Sequence, residues 1–358
     1  MSGKAGGGVA AKVVAWQAAH GRNHLPWQQT RDPYRVWLSE IMLQQTQVVT
    51  VLGYYDRFLQ RFPDVKALAQ AEQDEVMGLW SGLGYYSRAR NLHQCAKVVT
   101  AQYGGAFPDT ARLLATLPGI GRSTAGAIAA FCFSERVAIL DANVRRVLTR
   151  VLGFDADLAV AQNEKNLWDC ATELLPTGDL QASMPRYTQG LMDLGATVCP
   201  PKAPRCEACP LSSVCNAFSQ GNQERYPVRT RQLRRRAETW WLLVLLDPAR
   251  RVWLQRRPAA GIWAGMHCVP VFSDQAQLMR VAADSEGGAA RARLREVPAL
   301  MHVLTHRDLY LHAVVVEGEI TARPLPHGDW FGEHQWTGIG LPAPIRKLLD
   351  CAVQRPIL

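Results

Sequence analysis

Length, composition and charge describe a globular protein with a polyanionic partner. The chain has 358 residues, of which 48% are hydrophobic and 20% are charged, and its formal net charge is +9. These values exclude a disordered chain, allow two domains and favour nucleic acid as a partner. The longest apolar run, 240–246, has seven residues, whereas a helix that crosses a bilayer needs about 20. A membrane protein is therefore excluded, and a cytoplasmic location is expected.

The first part of the chain is predicted to be mostly helical. The glycine-rich start, residues 1–8, predicts a disordered tip, and a helical domain is expected at 9–220. Within it, apolar residues such as Trp37 and Ile41 recur at helical spacing, and proline-containing turn signals separate the segments.

A glutamate lies among apolar residues on a predicted helix at 37–47. An isolated glutamate is usually solvated, but desolvation in an apolar pocket would raise the pKa of Glu40 and let it donate a proton.

Two neighbouring segments indicate a phosphate site and a helix start. The sequence LPGIGRSTA at 117–125 resembles the turn of a helix-hairpin-helix at about 111–133. Gly119 and Gly121 would let the backbone approach a phosphate, which the N–H groups of the next helix would bind. A plain corner between helices is the alternative. Shortly afterwards an apolar run ends at Asp141, where aspartate is a favourable N-cap.

Four of the nine cysteines form a cluster. They are separated by six, two and five residues, in the order Cys199, Cys206, Cys209 and Cys215. Structural zinc sites usually use two Cys-x2-Cys pairs, whereas a cubane iron–sulfur cluster tolerates unequal loops. We expect a [4Fe-4S] cluster on these thiolates, with zinc or no metal as the alternatives. The spacing is similar to that of the compact cluster in the endonuclease III superfamily of DNA glycosylases.

After the cysteines the pattern changes. Six arginines and one proline between Arg225 and Arg236 predict a basic linker at 221–237, which is either solvated or faces a phosphate. A smaller α+β domain is predicted at 238–358 from short apolar, β-type runs at 240–246, 252–254 and 309–316.

Several stretches together resemble the adenine-specific DNA glycosylase family. They are LPW at 25–27, WLSEIMLQQTQ at 37–47 and GLGYYSRARNL at 82–92, and the resemblance is dense over 13–218. It implies a helix-hairpin-helix glycosylase fold with an iron–sulfur cluster. It also implies base-excision repair, in which adenine opposite 8-oxoguanine or guanine is flipped out of double-stranded DNA and removed. A monomer is the default expectation.

The resemblance also implies how the reaction is catalysed. Glu40 would protonate the base, Asp141 would stabilise the oxocarbenium-like sugar, and Asn143 would help to hold Asp141 and the sugar. Ser123 occupies the position at which strand-cutting relatives carry a Schiff-base lysine. A monofunctional glycosylase without efficient β-lyase activity is therefore expected.

Further residues are assigned to binding by the same resemblance. Contacts to the DNA are expected from the hairpin glycines and from Gln44, Gln45, Thr46, Leu83 and Tyr85, with core packing as the alternative for Leu83. The adenine pocket is expected to be lined by Trp27, Gln28, Leu43, Gln189 and Met192.

The C-terminal domain resembles the family's Nudix-like lesion-recognition domain, beginning with GIWAGM at 261–266. The catalytic box is missing, because Arg295-Glu296 is followed by Val297-Pro298 without paired glutamates, so no nucleotide hydrolysis is expected. The family's lesion-sensing Phe-Ser-His turn reads Leu304-Thr305-His306 here. Thr305 keeps the hydroxyl that can bind the lesion, whereas Leu304 removes the aromatic ring.

Three other functions fit parts of the sequence. A bifunctional endonuclease III-type enzyme for oxidised pyrimidines is disfavoured by Ser123, by Gln44-Gln45 and by the extra domain. A non-catalytic DNA-binding iron–sulfur protein is disfavoured by the presence of Glu40 and Asp141. A Nudix hydrolase with a DNA-binding appendage is disfavoured by the missing carboxylates.

Overall fold

The computed structural model describes residues 3–230, 234–285, 293–320 and 324–354. The chain divides into two compact units, which are residues 1–55, 61–69 and 94–232 in the first and residues 56–60, 70–93 and 233–358 in the second. The segment 70–93 therefore belongs with the C-terminal residues, although it lies within the first part of the sequence. The predicted domain boundaries remain a prediction. Among the described residues, no helix is long and apolar enough to cross a membrane.

Helices form the first unit and also the parts of the second unit that lie between residues 56 and 93. In chain order these are α1 (Gly3–His20), α2 (Pro33–Leu43), α3 (Val48–Arg61), α4 (Val65–Gln70), α5 (Gln73–Leu79), α6 (Ser87–Tyr103), α7 (Ala111–Leu114), α8 (Arg122–Phe133), α9 (Ala142–Leu152), α10 (Ala161–Glu173), α11 (Leu180–Thr197) and α12 (Asn216–Ser219). Short 3-10 turns lie at Pro26–Gln28, Cys206–Ala208, Ser212–Val214 and Gln223–Arg225.

Local sequence fixes the ends of the helices that matter for function. Asp32 caps α2 by accepting a hydrogen bond from the Tyr34 N–H at 2.9 Å, as expected of an N-cap aspartate. Helix α9 ends at Gly153, which adopts a left-handed conformation with φ of 63° that glycine adopts without strain. The expected mostly helical N-terminal region is confirmed.

The first helix begins earlier than the sequence predicts. The expectation of a disordered tip at residues 1–8 is wrong from Gly3 onward, where α1 starts. The reason lies further along the helix, where Val9, Ala10 and Val13 are buried in the core of the first unit. Tertiary packing of this face stabilises a helix that its glycine-rich start disfavours.

The second unit is built on a sheet in which its described residues form seven strands. Its strands are β1 (Arg236–Leu246), β2 (Val252–Arg256), β3 (His267–Cys268), β4 (Val271–Phe272), β5 (Arg293–Val303), β6 (Arg307–Glu317) and β7 (Gly328–Phe331). The main order is β3-β2-β1-β6-β5, while β4 pairs with β1 and β7 pairs with β2. Strands β1 and β6 run parallel over their whole length, from Arg236 opposite Arg307 to Leu246 opposite Glu317.

Helices complete the second unit, and its core lies on the central strands. The helices of its C-terminal part are α13 (Gln275–Ser285), α14 (Glu333–Trp336) and α15 (Ala343–Gln354). Leu243, Val314 and Trp253 bury their side chains together with Leu278 of α13. The expected α+β domain is confirmed, and the three runs predicted as strands lie within β1, β2 and β6. Arg295 and Glu296 lie on strand β5.

The arginine-rich segment is partly attached to the helical unit. The Leu158 N–H donates to the Val228 carbonyl at 3.0 Å, and the Thr230 N–H donates to Asp157 Oδ1 at 3.2 Å. The rest of the predicted linker includes Arg231, Gln232 and Leu233, which lie outside the described residues.

Candidate active site

Two carboxylates line one cavity of the helical unit. Glu40 comes from α2, and Asp141 is the N-cap of α9. The cavity has a volume of about 830 Å³, and its wall also includes Ser123 and Asn143. The structure thus brings together the four residues that the sequence predicts to be catalytic.

Glu40 is half-buried near the end of α2, a helix in which most other side chains are buried. Burial, followed by the negative charge of Asp141, raises the pKa of Glu40 to about 8. Desolvation disfavours the ionised carboxylate, and a like charge adds to that effect. Glu40 therefore holds its proton at neutral pH.

Asp141 has a different environment. Its Oδ1 accepts a hydrogen bond from the Val144 N–H at 2.7 Å, which confirms it as the N-cap of α9. Burial raises the pKa of Asp141, whereas the Val144 N–H and the charge of Arg146 oppose that shift. A hydrogen bond and a nearby positive charge therefore favour the ionised form of Asp141, whereas burial and a like charge both disfavour the ionised form of Glu40. Such a difference between two carboxyls is a condition for separate acid and charge-stabilising roles.

Arg146 holds Asn143 and was not identified from the sequence. Its Nη2 donates to Asn143 Oδ1 at 2.8 Å and to the Gly195 carbonyl at 2.7 Å, and its Nε donates to the Cys199 carbonyl at 2.8 Å. Gly195 is needed for this approach, because a Cβ at that position would lie 2.5 Å from Asn143 Cβ. The sequence feature that could have pointed to Arg146 is the pair of adjacent arginines in α9.

Ser123 supports the segment that carries Asp141. Its hydroxyl accepts a hydrogen bond from the Leu140 N–H at 3.1 Å. Beside it, Gln44 Nε2 donates to Thr124 Oγ1 at 3.4 Å. These two hydrogen bonds connect the beginning of α8 to the segment that carries Asp141 and to the segment that carries Glu40.

The predicted adenine-pocket residues line two cavities that share a wall. Leu43 and Met192 face the cavity described above, and Gln28 faces a second one of about 600 Å³. Trp27, Gln189 and Glu40 border both. Gln28 stands out because both polar atoms of its side-chain amide are buried and lack a hydrogen-bond partner among the described residues. Such atoms in a native protein call for a missing partner.

The predicted hairpin has an exposed, uncapped helix start. Gly119 adopts φ of 77°, and Gly121 is the N-cap of α8 without a side-chain cap. Both glycines are exposed, and a Cβ at Gly121 would meet open space. The first N–H groups of this twelve-residue helix are therefore accessible to an anion.

Two predicted DNA-contact residues have left-handed backbones. Gln45, next to Thr46 in the helical unit, has φ of 56°, and Tyr85 in the second unit has φ of 47°. Such conformations cost energy for residues other than glycine and cluster at functional sites.

The second unit brings predicted lesion-contact residues together. Tyr85 Oη and Thr305 Oγ1 are 3.1 Å apart, and both residues line a cavity of about 370 Å³. Thr305 and His306 are exposed in the turn between β5 and β6, which the Leu304 N–H closes by donating to the Arg307 carbonyl at 2.7 Å. Leu83 is only 6% exposed, so its side chain packs within the protein in this structure.

The four clustered cysteines line a single small cavity of about 20 Å³. Arg150, which is 1% exposed, organises this loop. Its Nη1 donates to Cys199 Sγ at 3.1 Å and to the Pro200 carbonyl at 2.8 Å, and its Nε donates to the Gln223 carbonyl at 2.8 Å. In the described part of the chain, no group of three or more His, Cys, Asp or Glu side chains could hold a single metal ion.

Comparison with known proteins decides the family. Residues 38–172 match the HhH-GPD superfamily base excision DNA repair protein, and residues 241–351 match the NUDIX domain. An adenine DNA glycosylase from Buchnera aphidicola is 33% identical over 341 residues, which are 94% of each protein. The chain belongs to the adenine DNA glycosylase family. It is a base-excision repair DNA glycosylase.

Other relatives of this DNA glycosylase agree with that assignment. The human adenine DNA glycosylase is 31% identical over 399 residues, covering 94% of this chain and 72% of the human protein. The structure of a thermostable thymine-DNA glycosylase is similar with a TM-score of 0.51 and 29% identity, and the match covers 59% of this chain and 95% of that one.

Proposed function

We propose that this glycosylase hydrolyses the bond between adenine and deoxyribose in duplex DNA when the adenine lies opposite 8-oxoguanine or guanine. The supporting observation is the pair of carboxylates in one cavity, in which the pKa of Glu40 is raised to about 8. Adenine is a poor leaving group until it is protonated. A carboxyl that keeps its proton at neutral pH supplies the general acid that this step needs.

Asp141 has the second catalytic role in this proposal, which is to stabilise charge on the sugar. As the base leaves, positive charge develops on the sugar, and the Asp141 carboxylate stabilises it. The Val144 N–H and Arg146 favour the carboxylate form. Asn143, held by Arg146, helps to fix Asp141 and the sugar. With Ser123 at the position of the lyase lysine, the enzyme releases the base without efficient strand cleavage.

The flipped adenine is proposed to bind between Trp27, Gln28, Leu43, Gln189 and Met192. The orphaned amide of Gln28 supports this role, because a purine edge offers both a donor and an acceptor to such a group. The enzyme must turn the nucleotide out of the helix for the base to reach these residues.

The duplex is proposed to be held by backbone and side-chain contacts. Gly119 and Gly121 would bind a phosphate at the start of α8. Gln45 and Tyr85, whose backbones are left-handed, would contact the bases with Gln44 and Thr46. Leu83 would do so only once its side chain leaves its packed position. Thr305 and His306 would recognise 8-oxoguanine. We expect the enzyme to act as a cytoplasmic monomer.

A [4Fe-4S] cluster is proposed on Cys199, Cys206, Cys209 and Cys215. The donor set fits, because four thiols line one cavity and buried Arg150 offsets their negative charge. A cluster is larger than a single ion, so its ligands need not converge on one point. When bound, it would supply four iron–thiolate bonds that cross-link the loop 199–215.

Single-turnover release of adenine from a duplex with an adenine–8-oxoguanine pair tests the proposal. Rapid release by the wild type, loss of release in Glu40→Gln and no release from an adenine–thymine duplex are expected. If the wild type binds the duplex but releases no adenine, the proposed substrate is wrong, and oxidised pyrimidines become the next substrates to test.

A further inference from the structure

A completely buried aspartate lies behind the adenine-pocket residues. Asp193 on α11 has a side-chain exposure of 0%. Its carboxylate accepts hydrogen bonds from the Arg22 N–H at 3.1 Å, from Arg22 Nε at 2.7 Å and from Gln189 Nε2 at 3.0 Å. A buried charge is costly unless it is well paired, and here its partners include two residues that line the Glu40 cavity.

The carboxylate dictates the orientation of the Gln189 amide. Because an ionised carboxylate only accepts hydrogen bonds, Gln189 must turn its NH2 group toward Asp193. The carbonyl oxygen, Oε1, is then the end of the amide left for a ligand. Among the described residues, no hydrogen bond to that oxygen is seen, and Gln189 borders both cavities together with Glu40.

A hydrogen-bond acceptor next to a proton donor is complementary to the N7 and N6 edge of adenine. Adenine presents the N7 acceptor and the N6 amino donor side by side, whereas hypoxanthine and guanine present two acceptors, N7 and O6. Protonated Glu40 can donate to N7 while Gln189 Oε1 accepts from N6. If the Gln189 amide could turn around, it would donate from its NH2 group to O6, and the site would no longer distinguish adenine from hypoxanthine or guanine.

We propose that Asp193 is a positioning residue that locks the Gln189 amide in the orientation that selects a 6-amino purine. This inference rests on the proposed adenine-releasing function and concerns how the same site rejects 6-oxo purines. The Arg22–Asp193 ion pair by itself would only connect the loop after α1 to α11. A purely structural role therefore predicts no change in base selectivity.

The test compares release of adenine with release of hypoxanthine, each opposite 8-oxoguanine, under single-turnover conditions. In Asp193→Ala, the adenine-to-hypoxanthine rate ratio should fall by about tenfold, because a polar site that reads a hydrogen-bonding group discriminates strongly only while its orientation is fixed. Gln189→Ala should also lower the ratio. The double variant should match Gln189→Ala, because Asp193 acts only through Gln189.

Asp247→Ala is the matched control, since it removes another buried aspartate that accepts hydrogen bonds from the N–H and the Nε of one arginine, Arg251, but belongs to the second unit. It should lower the thermal midpoint and keep the ratio. An unchanged ratio in Gln189→Ala overturns the inference even if Asp193→Ala does not fold. The inference is also overturned if Asp193→Ala lowers the adenine-to-hypoxanthine rate ratio by the same factor in the Gln189→Ala background as in the wild type. Absence of adenine release by the wild type would instead overturn the proposed function.

Discussion

Replacing Glu40 by glutamine should abolish catalysis and at the same time stabilise the protein. A carboxyl with a pKa of about 8 is roughly 90% protonated at pH 7, whereas one with an ordinary pKa would be protonated in roughly 0.3% of molecules. Glutamine keeps the shape of the neutral acid but has no proton to donate. We expect adenine release to fall by about 10²- to 10⁴-fold, the usual contribution of a general acid.

The stability change follows from the same pKa. Glu40 is ionised in the unfolded chain above its ordinary pKa of 4.5 but stays protonated in the folded protein up to about 8. The free energy of unfolding of the wild type therefore declines as pH rises through this window. Glutamine does not titrate, so Glu40→Gln should gain about 1–3 kcal/mol over the wild type at pH 7 to 8 and little at pH 4 to 5.

The assays are single-turnover release and thermal unfolding, each across pH 5 to 9. The wild-type rate should decline above a pH of about 8. Glu72→Gln is the control, because it removes a carboxylate from an exposed position at the start of α5 and should change neither rate nor stability. A stability difference between the wild type and Glu40→Gln that is the same at pH 5 and pH 8 would refute the reasoning, as would a wild-type rate that is flat across pH 6 to 9.

Four further outcomes are expected. Asp141→Asn should lose adenine release with little change in thermal midpoint, because asparagine also caps a helix. Borohydride should trap no strong covalent adduct between wild-type enzyme and DNA, since Ser123 cannot form a Schiff base. Cys209→Ser should lower the iron content measured by metal analysis and the thermal midpoint. Thr305→Ala should narrow the rate difference between adenine opposite 8-oxoguanine and adenine opposite guanine, because it removes the hydroxyl 3.1 Å from Tyr85 Oη.

Controls separate these outcomes from general damage. Cys170→Ser changes a cysteine outside the cluster and should keep the iron content. Tyr85→Phe removes the partner of Thr305 but keeps the ring, so it should reduce lesion preference less than Thr305→Ala. Zinc in place of iron in the wild type would contradict the cluster assignment, and a trapped adduct that involves a lysine would contradict a monofunctional reaction.

The sequence was informative where function depends on local pattern. Asp141 could be identified as an N-cap because a cap requires only the residue itself and the helix after it. Glu40 could be placed among apolar neighbours because those neighbours lie within one helix. Strands β1, β2 and β6 were predicted for the same reason, since their apolar runs are continuous.

The rest depends on contacts between residues that are far apart in sequence. Asp193 is bonded to Arg22, which is 171 positions away, and Arg146 is bonded to the carbonyls of Gly195 and Cys199. No local pattern distinguishes these buried charges from solvated ones. The beginning of α1, before residue 9, was missed because packing of Val9 and its neighbours outweighs the propensity of the glycines.

Helix α9 connects the cysteine loop to two of the proposed catalytic residues, Asp141 and Asn143. Asn143, Arg146 and Arg150 are spaced three and four residues apart and therefore share one face of the helix. On that face Arg150 bonds Cys199 Sγ, and Arg146 bonds both the Cys199 carbonyl and Asn143. Asp141 caps the same helix. Loosening of the cysteine loop should therefore displace the groups proposed to hold the sugar, so Cys209→Ser should impair adenine release more than it weakens the phosphate binding proposed for the hairpin.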